Sequence, residues 1–153
     1  MPFIIVLAAV FAYLLYRHFT WKAVPWPASG LRPPKYQGHR GYWVDGAQEN
    51  TLASFKAAKE RGLQMVEMDV RLSSDSVVVV FHDSDLKRLG HRLTLVKDMT
   101  AAQLFETVQA PSLEQVLTSK DVPTYLNIEL KTGEVRNSLL EQKVSELIKK
   151  HGA

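Results

Sequence analysis

Residues 77–81 read Val-Val-Val-Val-Phe, and this run narrows the choice of fold more than any other part of the chain. Consecutive β-branched residues favour extended backbone, and an unbroken apolar run leaves no face for water. A strand buried on both faces is therefore expected over 76–81. Two neighbouring segments alternate instead. In 64–70, Met65, Glu67 and Asp69 share one face while Val66, Met68 and Val70 share the other. In 124–131, Asn127, Glu129 and Lys131 lie opposite Leu126, Ile128 and Leu130.

Helical signals fall between these strands. Asn50 or Thr51 can cap a helix carrying Leu52, Phe55 and Ala58 on one face, with Gly62 at its C-terminal stop. Residues 112–119 suggest a short helix. Ser138 and Glu141 form a capping box ahead of Leu140, Val144, Leu147 and Ile148 at helical spacing. The polar stretch 84–99 reads as loop. Strands alternating with helices indicate parallel βαβ units, whose functional groups gather at the carboxyl ends of strands. His39 and Arg40 follow a first strand, Glu67 and Asp69 end a second, His82 ends a third, and Glu129 and Lys131 end a fourth.

The residue types at that rim suggest a chemistry. Glu67 and Asp69 project from one face with Cα atoms about 6–7 Å apart. Burial and mutual repulsion would raise their pKa values unless a cation lay between them. A hard divalent ion, Mg2+ or Ca2+, suits carboxylate oxygens, and Glu129 adds a third. Arg40 and Lys131 are the positive groups for an anionic oxygen such as phosphate. His39 and His82 supply a proton donor and acceptor near neutral pH. Together they indicate metal-assisted cleavage of a phosphate ester.

Composition removes competing chemistries. With no cysteine, thiolate metal sites, disulfides and Cys nucleophiles are excluded. A net charge of +3, without a basic block interleaved with aromatics, argues against nucleic acid.

The N-terminus is different in kind. Residues 2–16 carry no charge, and Arg17, His18 and Lys22 follow. A bilayer span takes about 20 apolar residues, so the run needs Arg17 and Lys22 to snorkel, with Phe19 and Trp21 at the interface. A cleaved signal peptide fits less well, because no Lys or Arg precedes the run; a core helix is the remaining alternative. Residues 1–23 are expected to be a membrane anchor with a single span. All nearby positive charge lies on its C-terminal side, which puts the rest of the chain in the cytoplasm. Residues 24–35, rich in proline, read as a semi-rigid linker, and the globular part occupies 36–153.

Five segments in order, HRG (39–41), ENTLASF (49–55), Glu67-x-Asp69, VVVVFHD (77–83) and IELK (128–131), resemble the glycerophosphodiester phosphodiesterase family. The resemblance implies an α/β fold of the TIM (β/α)8 barrel type. It implies His39 and His82 as general acid and base, Glu67, Asp69 and Glu129 as ligands of the divalent metal, and Arg40 and Lys131 as phosphate contacts. It further implies hydrolysis of glycerophosphodiesters to glycerol 3-phosphate and an alcohol. The attacking hydroxyl there can be the glycerol's own, with water then completing the hydrolysis. The chain departs from the pattern at Gln48, where the family often has Pro, and at Asp75-Ser76, where Asp-Gly is usual and positive φ is less strained. Length is the larger departure. A (β/α)8 barrel takes roughly 250 residues, while 36–153 provides 118. The expectation is a barrel truncated to its first half. It would be a fragment of a longer frame, or a half completed by self-association or by a partner chain. Two further readings stay open: a lysophospholipase D-like enzyme acting on lysophospholipids, and a non-catalytic half-barrel that binds a partner or lipid.

Overall fold

The computed structural model describes residues 2–22, 32–91, 93–132 and 138–152. The chain divides into two compact units, Met1–Arg32 and Pro33–Ala153. In the first, helix α1 spans Pro2–Thr20 and ends on Arg17 and His18. Its segment Phe3–Thr20 has a mean hydropathy of 1.8 over 18 residues, and its described side chains are all exposed. Residues 23–31, which include most of the proline-rich stretch, lie outside the described residues.

The second unit runs β1 (Gly38–His39), α2 (Leu52–Glu60), β2 (Met65–Leu72), β3 (Val78–Val80), α3 (Ala101–Val108), α4 (Leu113–Thr118), β4 (Tyr125–Leu130) and α5 (Ser138–His151). Two short 3-10 turns, Lys87–Leu89 and Val96–Asp98, interrupt the polar stretch between β3 and α3. β2 is the central strand. Parallel β1 and β4 pair with it in the registers His39↔Glu67 and Asp69↔Glu129.

The valine run corrects one expectation. β3 pairs antiparallel with β2, in the register Val70↔Val80 and Leu72↔Val78, so three described strands run parallel and not four. The cause is the connection. A parallel crossover needs a dozen or more residues, and only Ser73–Val77 separate the two strands. Burial on both faces holds nonetheless. Val78 and Val80 enter a core with Phe55, Val66, Met68, Val70, Leu113 and Leu140. Val79 and Phe81 enter another with Leu86, Val96, Leu104 and Val108. Each fully buried Val or Phe contributes roughly 1.5–3 kcal/mol of transfer free energy. A polar residue anywhere in this run would therefore open one core or the other.

Helix starts are fixed by reciprocal caps. Thr51 with Ser54, Thr100 with Gln103 and Ser112 with Gln115 each satisfy two otherwise orphaned backbone donors. The middle pair starts α3, which the polar reading of the preceding segment did not anticipate. The side chain of Ser138, and with it the expected fourth cap, lies outside the described side chains.

Candidate active site

β2 runs on to Leu72, so Glu67 and Asp69 lie in mid-strand and not at its end. Period-two alternation sends Val66, Met68 and Val70 into the core and leaves Glu67 and Asp69 on the opposite face, 6% and 1% exposed. Register places Glu129 beside Asp69. Carboxylate oxygens of Glu67, Asp69 and Glu129 lie within 4.8 Å of one another.

The loop after β1 closes over this face. Arg40 donates its backbone N–H to Glu67 Oε2 at 3.0 Å. Its guanidinium meets Asp69 Oδ2 at 3.3 Å and Glu49 at 3.1 Å. Both Arg40 and Asn50 take positive φ, 57° and 56°, a costly state for residues other than Gly. Surrounding bonds hold them there. Asn50 N–H donates to the Arg40 carbonyl at 3.0 Å, and Ser54 Oγ donates to the same carbonyl at 3.1 Å. Gly41 is required at the third position, since a Cβ there would sit 2.4 Å from Ser54 Oγ. Asn50 Nδ2 donates to Asp69 Oδ2 at 2.9 Å.

Charge balance differs between the two β2 carboxylates. Burial and then the charge of Asp69 push Glu67 above its ordinary 4.5, against the Arg40 N–H. Burial also opposes ionisation of Asp69, but Asn50 and Lys131 outweigh it and hold that carboxyl below 3.8. Lys131 Nζ lies 3.1 Å from Asp69 Oδ1 and 2.5 Å from Glu129 Oε1. Asp69 Oδ1 is nevertheless buried without a well-formed hydrogen bond. The 3.1 Å contact is thus an ion pair of poor hydrogen-bond geometry, and the oxygen keeps acceptor capacity. Three clustered carboxylates, one raised by burial and another with a free buried acceptor, fit a hard divalent cation.

The histidines arrive on the other side of β2. His39, paired in register with Glu67, has Nε2 3.9 Å from Glu67 Oε2 and is well exposed. His82 is carried by the hairpin: Phe81 N–H donates to the Asp69 carbonyl at 2.9 Å, so His82 follows directly. Its Nδ1 lies 2.6 Å from Asp83 Oδ1, and Arg71 Nε donates to its carbonyl at 2.9 Å. All seven residues expected at the site thus lie on β2, on its paired strands, or one or two residues beyond them.

Five further polar residues surround them. Arg71 continues the Glu67–Asp69 alternation and could have been read from it. Glu49 and Asn50 sit within ENTLASF, where only a helix cap was expected. Asp83 closes the VVVVFHD segment and meets the His82 imidazole. Arg88, which donates to Asp83 Oδ2 at 2.6 Å and also bonds Glu49, carries no local signal.

Residues 38–151 match the profile of the glycerophosphoryl diester phosphodiesterase family. The chain is 33% identical over 135 residues to lysophospholipase D GDPD1 of Rattus norvegicus, covering 76% of this chain and 41% of that protein. Its fold resembles the crystal structure of a glycerophosphodiester phosphodiesterase from Thermotoga maritima, with TM-score 0.64 and 40% identity over 74% of this chain and 49% of that one. It likewise resembles an Oleispira antarctica phosphodiesterase solved with the product sn-glycerol-3-phosphate, with TM-score 0.66 and 32% identity over 77% and 53%. The neighbours are TIM-barrel enzymes. The chain spans about half the length of the curated relatives it matches.

Proposed function

The chain belongs to the glycerophosphoryl diester phosphodiesterase family, and we propose that its site hydrolyses glycerophosphodiesters to glycerol 3-phosphate and an alcohol. The observation that carries this reading is the cluster of Glu67, Asp69 and Glu129 within 4.8 Å, flanked by His39, His82, Arg40 and Lys131.

Those side chains divide the work. Arg40 and Lys131 bind the phosphodiester oxygens and oppose the charge that grows on them in the transition state. One imidazole of the His39 and His82 pair takes the proton of the attacking hydroxyl as its oxygen bonds to phosphorus. The other gives a proton to the departing alkoxide as the P–O bond to the alcohol breaks. Water is the nucleophile, or, where the glycerol's own hydroxyl attacks, water then opens the cyclic phosphate to glycerol 3-phosphate. Glu67, Asp69 and Glu129 would hold a divalent cation, which supplies Lewis-acid charge at the phosphate. The glycerophosphodiester and the cation are small partners.

In this reading 36–153 is the first half of a TIM barrel. The outer edge of β4, unpaired among the described residues, is where further strands add, from the same polypeptide, a second copy or a partner chain. Helix α1 anchors the chain in a membrane, with the site on the cytoplasmic side; its apolar, exposed surface and terminal Arg17 support this. An enzymatic reporter fused after Ala153 should be active only when it functions in the cytoplasm.

The test is release of glycerol 3-phosphate from glycerophosphocholine with Mg2+ or Ca2+, then with EDTA. Turnover that EDTA abolishes supports the reading, and turnover indifferent to EDTA removes the cation from it. The rat lysophospholipase D relative and the apolar helix favour a second substrate class. Faster release of choline from lysophosphatidylcholine than from glycerophosphocholine would select it.

A further inference from the structure

An unbroken chain of polar contacts joins the two arms of the site. Arg40 Nη1 lies 3.1 and 3.3 Å from the two oxygens of Glu49. Glu49 Oε1 also accepts from Arg88 Nη2. The Nε of the same Arg88 donates to Asp83 Oδ2 at 2.6 Å, and the other oxygen of Asp83 meets His82 Nδ1 at 2.6 Å. Glu49 and Arg88 are 39 residues apart in sequence, so the link is tertiary.

From this geometry we propose that Arg88 is a positioning residue, a guanidinium fork that sets the Arg40 guanidinium and the His82 imidazole in one fixed relation. The catalytic part of the idea rests on the phosphodiesterase reading above. The structural part does not.

Each link has a chemical reason. Arginine presents its donors in a rigid plane, so one side chain can bond two carboxylates at a set separation; a lysine ammonium is a point charge with no such plane. An ionised carboxylate only accepts, so Asp83 places the proton of neutral His82 on Nδ1 and leaves Nε2 bare for exchange with substrate. Asp83 stays ionised: burial opposes its charge, but His82 and Arg88 outweigh burial and hold it below its ordinary 3.8. The Arg71 bond to the His82 carbonyl fixes the backbone from the other side. The Arg88 side chain is 48% exposed. Ion pairs so open to water stabilise a fold very little, so precise placement is what this one adds.

The full 153-residue chain, with 15N-labelled histidines, gives a readout that does not require turnover. The His82 signals are those lost in His82→Ala. Wild type should show one tautomer, with the proton on Nδ1 and its resonance shifted downfield. In Arg88→Ala the two tautomers should mix and the downfield proton disappear, with little movement of the thermal midpoint. Arg88→Lys keeps the charge without the fork and should recover less than half of the tautomer bias. A wild-type His82 spectrum in Arg88→Ala, or full recovery by Lys, overturns the proposal. Should Arg88→Ala not fold, Arg88→Lys alone carries the comparison. Glycerol 3-phosphate release is followed on the same proteins, where Arg88→Ala should lower kcat on the order of 10–100-fold and change KM much less. Spectra that respond as stated in a wild-type chain without turnover uphold the clamp and sink the phosphodiesterase reading. Normal turnover with unperturbed spectra in Arg88→Ala does the reverse.

Discussion

The two flanks of β2 use similar residue types and handle charge in opposite ways. Towards β4, three carboxylates crowd within 4.8 Å, and Lys131 and Arg40 are the cations placed against them. Towards the hairpin, Glu49 is held by two guanidiniums, Arg40 and Arg88, and Asp83 by the Arg88 guanidinium and the His82 imidazole. The unequal count has a thermodynamic mark. Glu67 is pushed up by burial and by Asp69, whereas Asp83 is pulled down despite burial. Excess carboxylate makes a place for a cation at a cost to the metal-free fold. Balanced pairing costs little and fixes directions.

The largest effects should come from breaking the histidine arms. His39→Ala and His82→Ala should each slow glycerol 3-phosphate release on the order of 10²–10⁴-fold. A near-wild-type rate in either variant removes that residue from the mechanism.

On the crowded flank, Asp69→Ala should destabilise the metal-free chain by about 2–4 kcal/mol in urea. It leaves Arg40 and Lys131 without their shared carboxylate, and their partial exposure keeps the cost at or below that of a fully buried pair. Glu67→Gln should do the opposite. Because the folded-state value of Glu67 is raised above 4.5, the folded protein holds that proton more tightly. Stability is therefore lost as pH rises from the unfolded value through the folded one. The amide removes that loss, so Glu67→Gln should be more stable than wild type at pH 7 without metal, by on the order of 0.5–1 kcal/mol. The gain should vanish near pH 3, where wild-type Glu67 is protonated. Equal stability of the two proteins at pH 7 would mean that the carboxylates are not in conflict.

The smallest effect lies at the hairpin tip, away from both arms. Ser76 has φ of 59°, held by Ser73 Oγ, which accepts from Val77 N–H and donates to Asp75. Ser76→Gly should stabilise the chain by up to roughly 1 kcal/mol, because glycine enters that region without a Cβ penalty. Thermal unfolding checks it, and the turnover rate should not change.

Much of the crowded flank was legible in the sequence. Period-two alternation alone places Glu67 with Asp69 and Glu129 with Lys131, because a strand sends every second side chain to one face. Read one step further it would have included Arg71. The valine run was legible as doubly buried, but apolarity is the same in either strand direction, and the five-residue connection decides that. Helix α3 was obscured by the polar segment before it, although Thr100 and Gln103 cap it. The Glu49–Arg88 link was not legible, because nothing local marks an ion pair between residues 39 positions apart.

The proposed chemistry requires that the crowded carboxylates take up a cation. Calorimetric titration of Mg2+ and Ca2+ into the EDTA-stripped 153-residue chain tests it, alongside Glu67→Gln and with the thermal midpoint followed throughout. One saturable site is expected in wild type, with a midpoint that climbs with cation concentration as binding to the folded state requires. Heat and shift should both be lost in Glu67→Gln. No saturable binding in wild type up to millimolar cation, or equal binding in Glu67→Gln, would contradict the account.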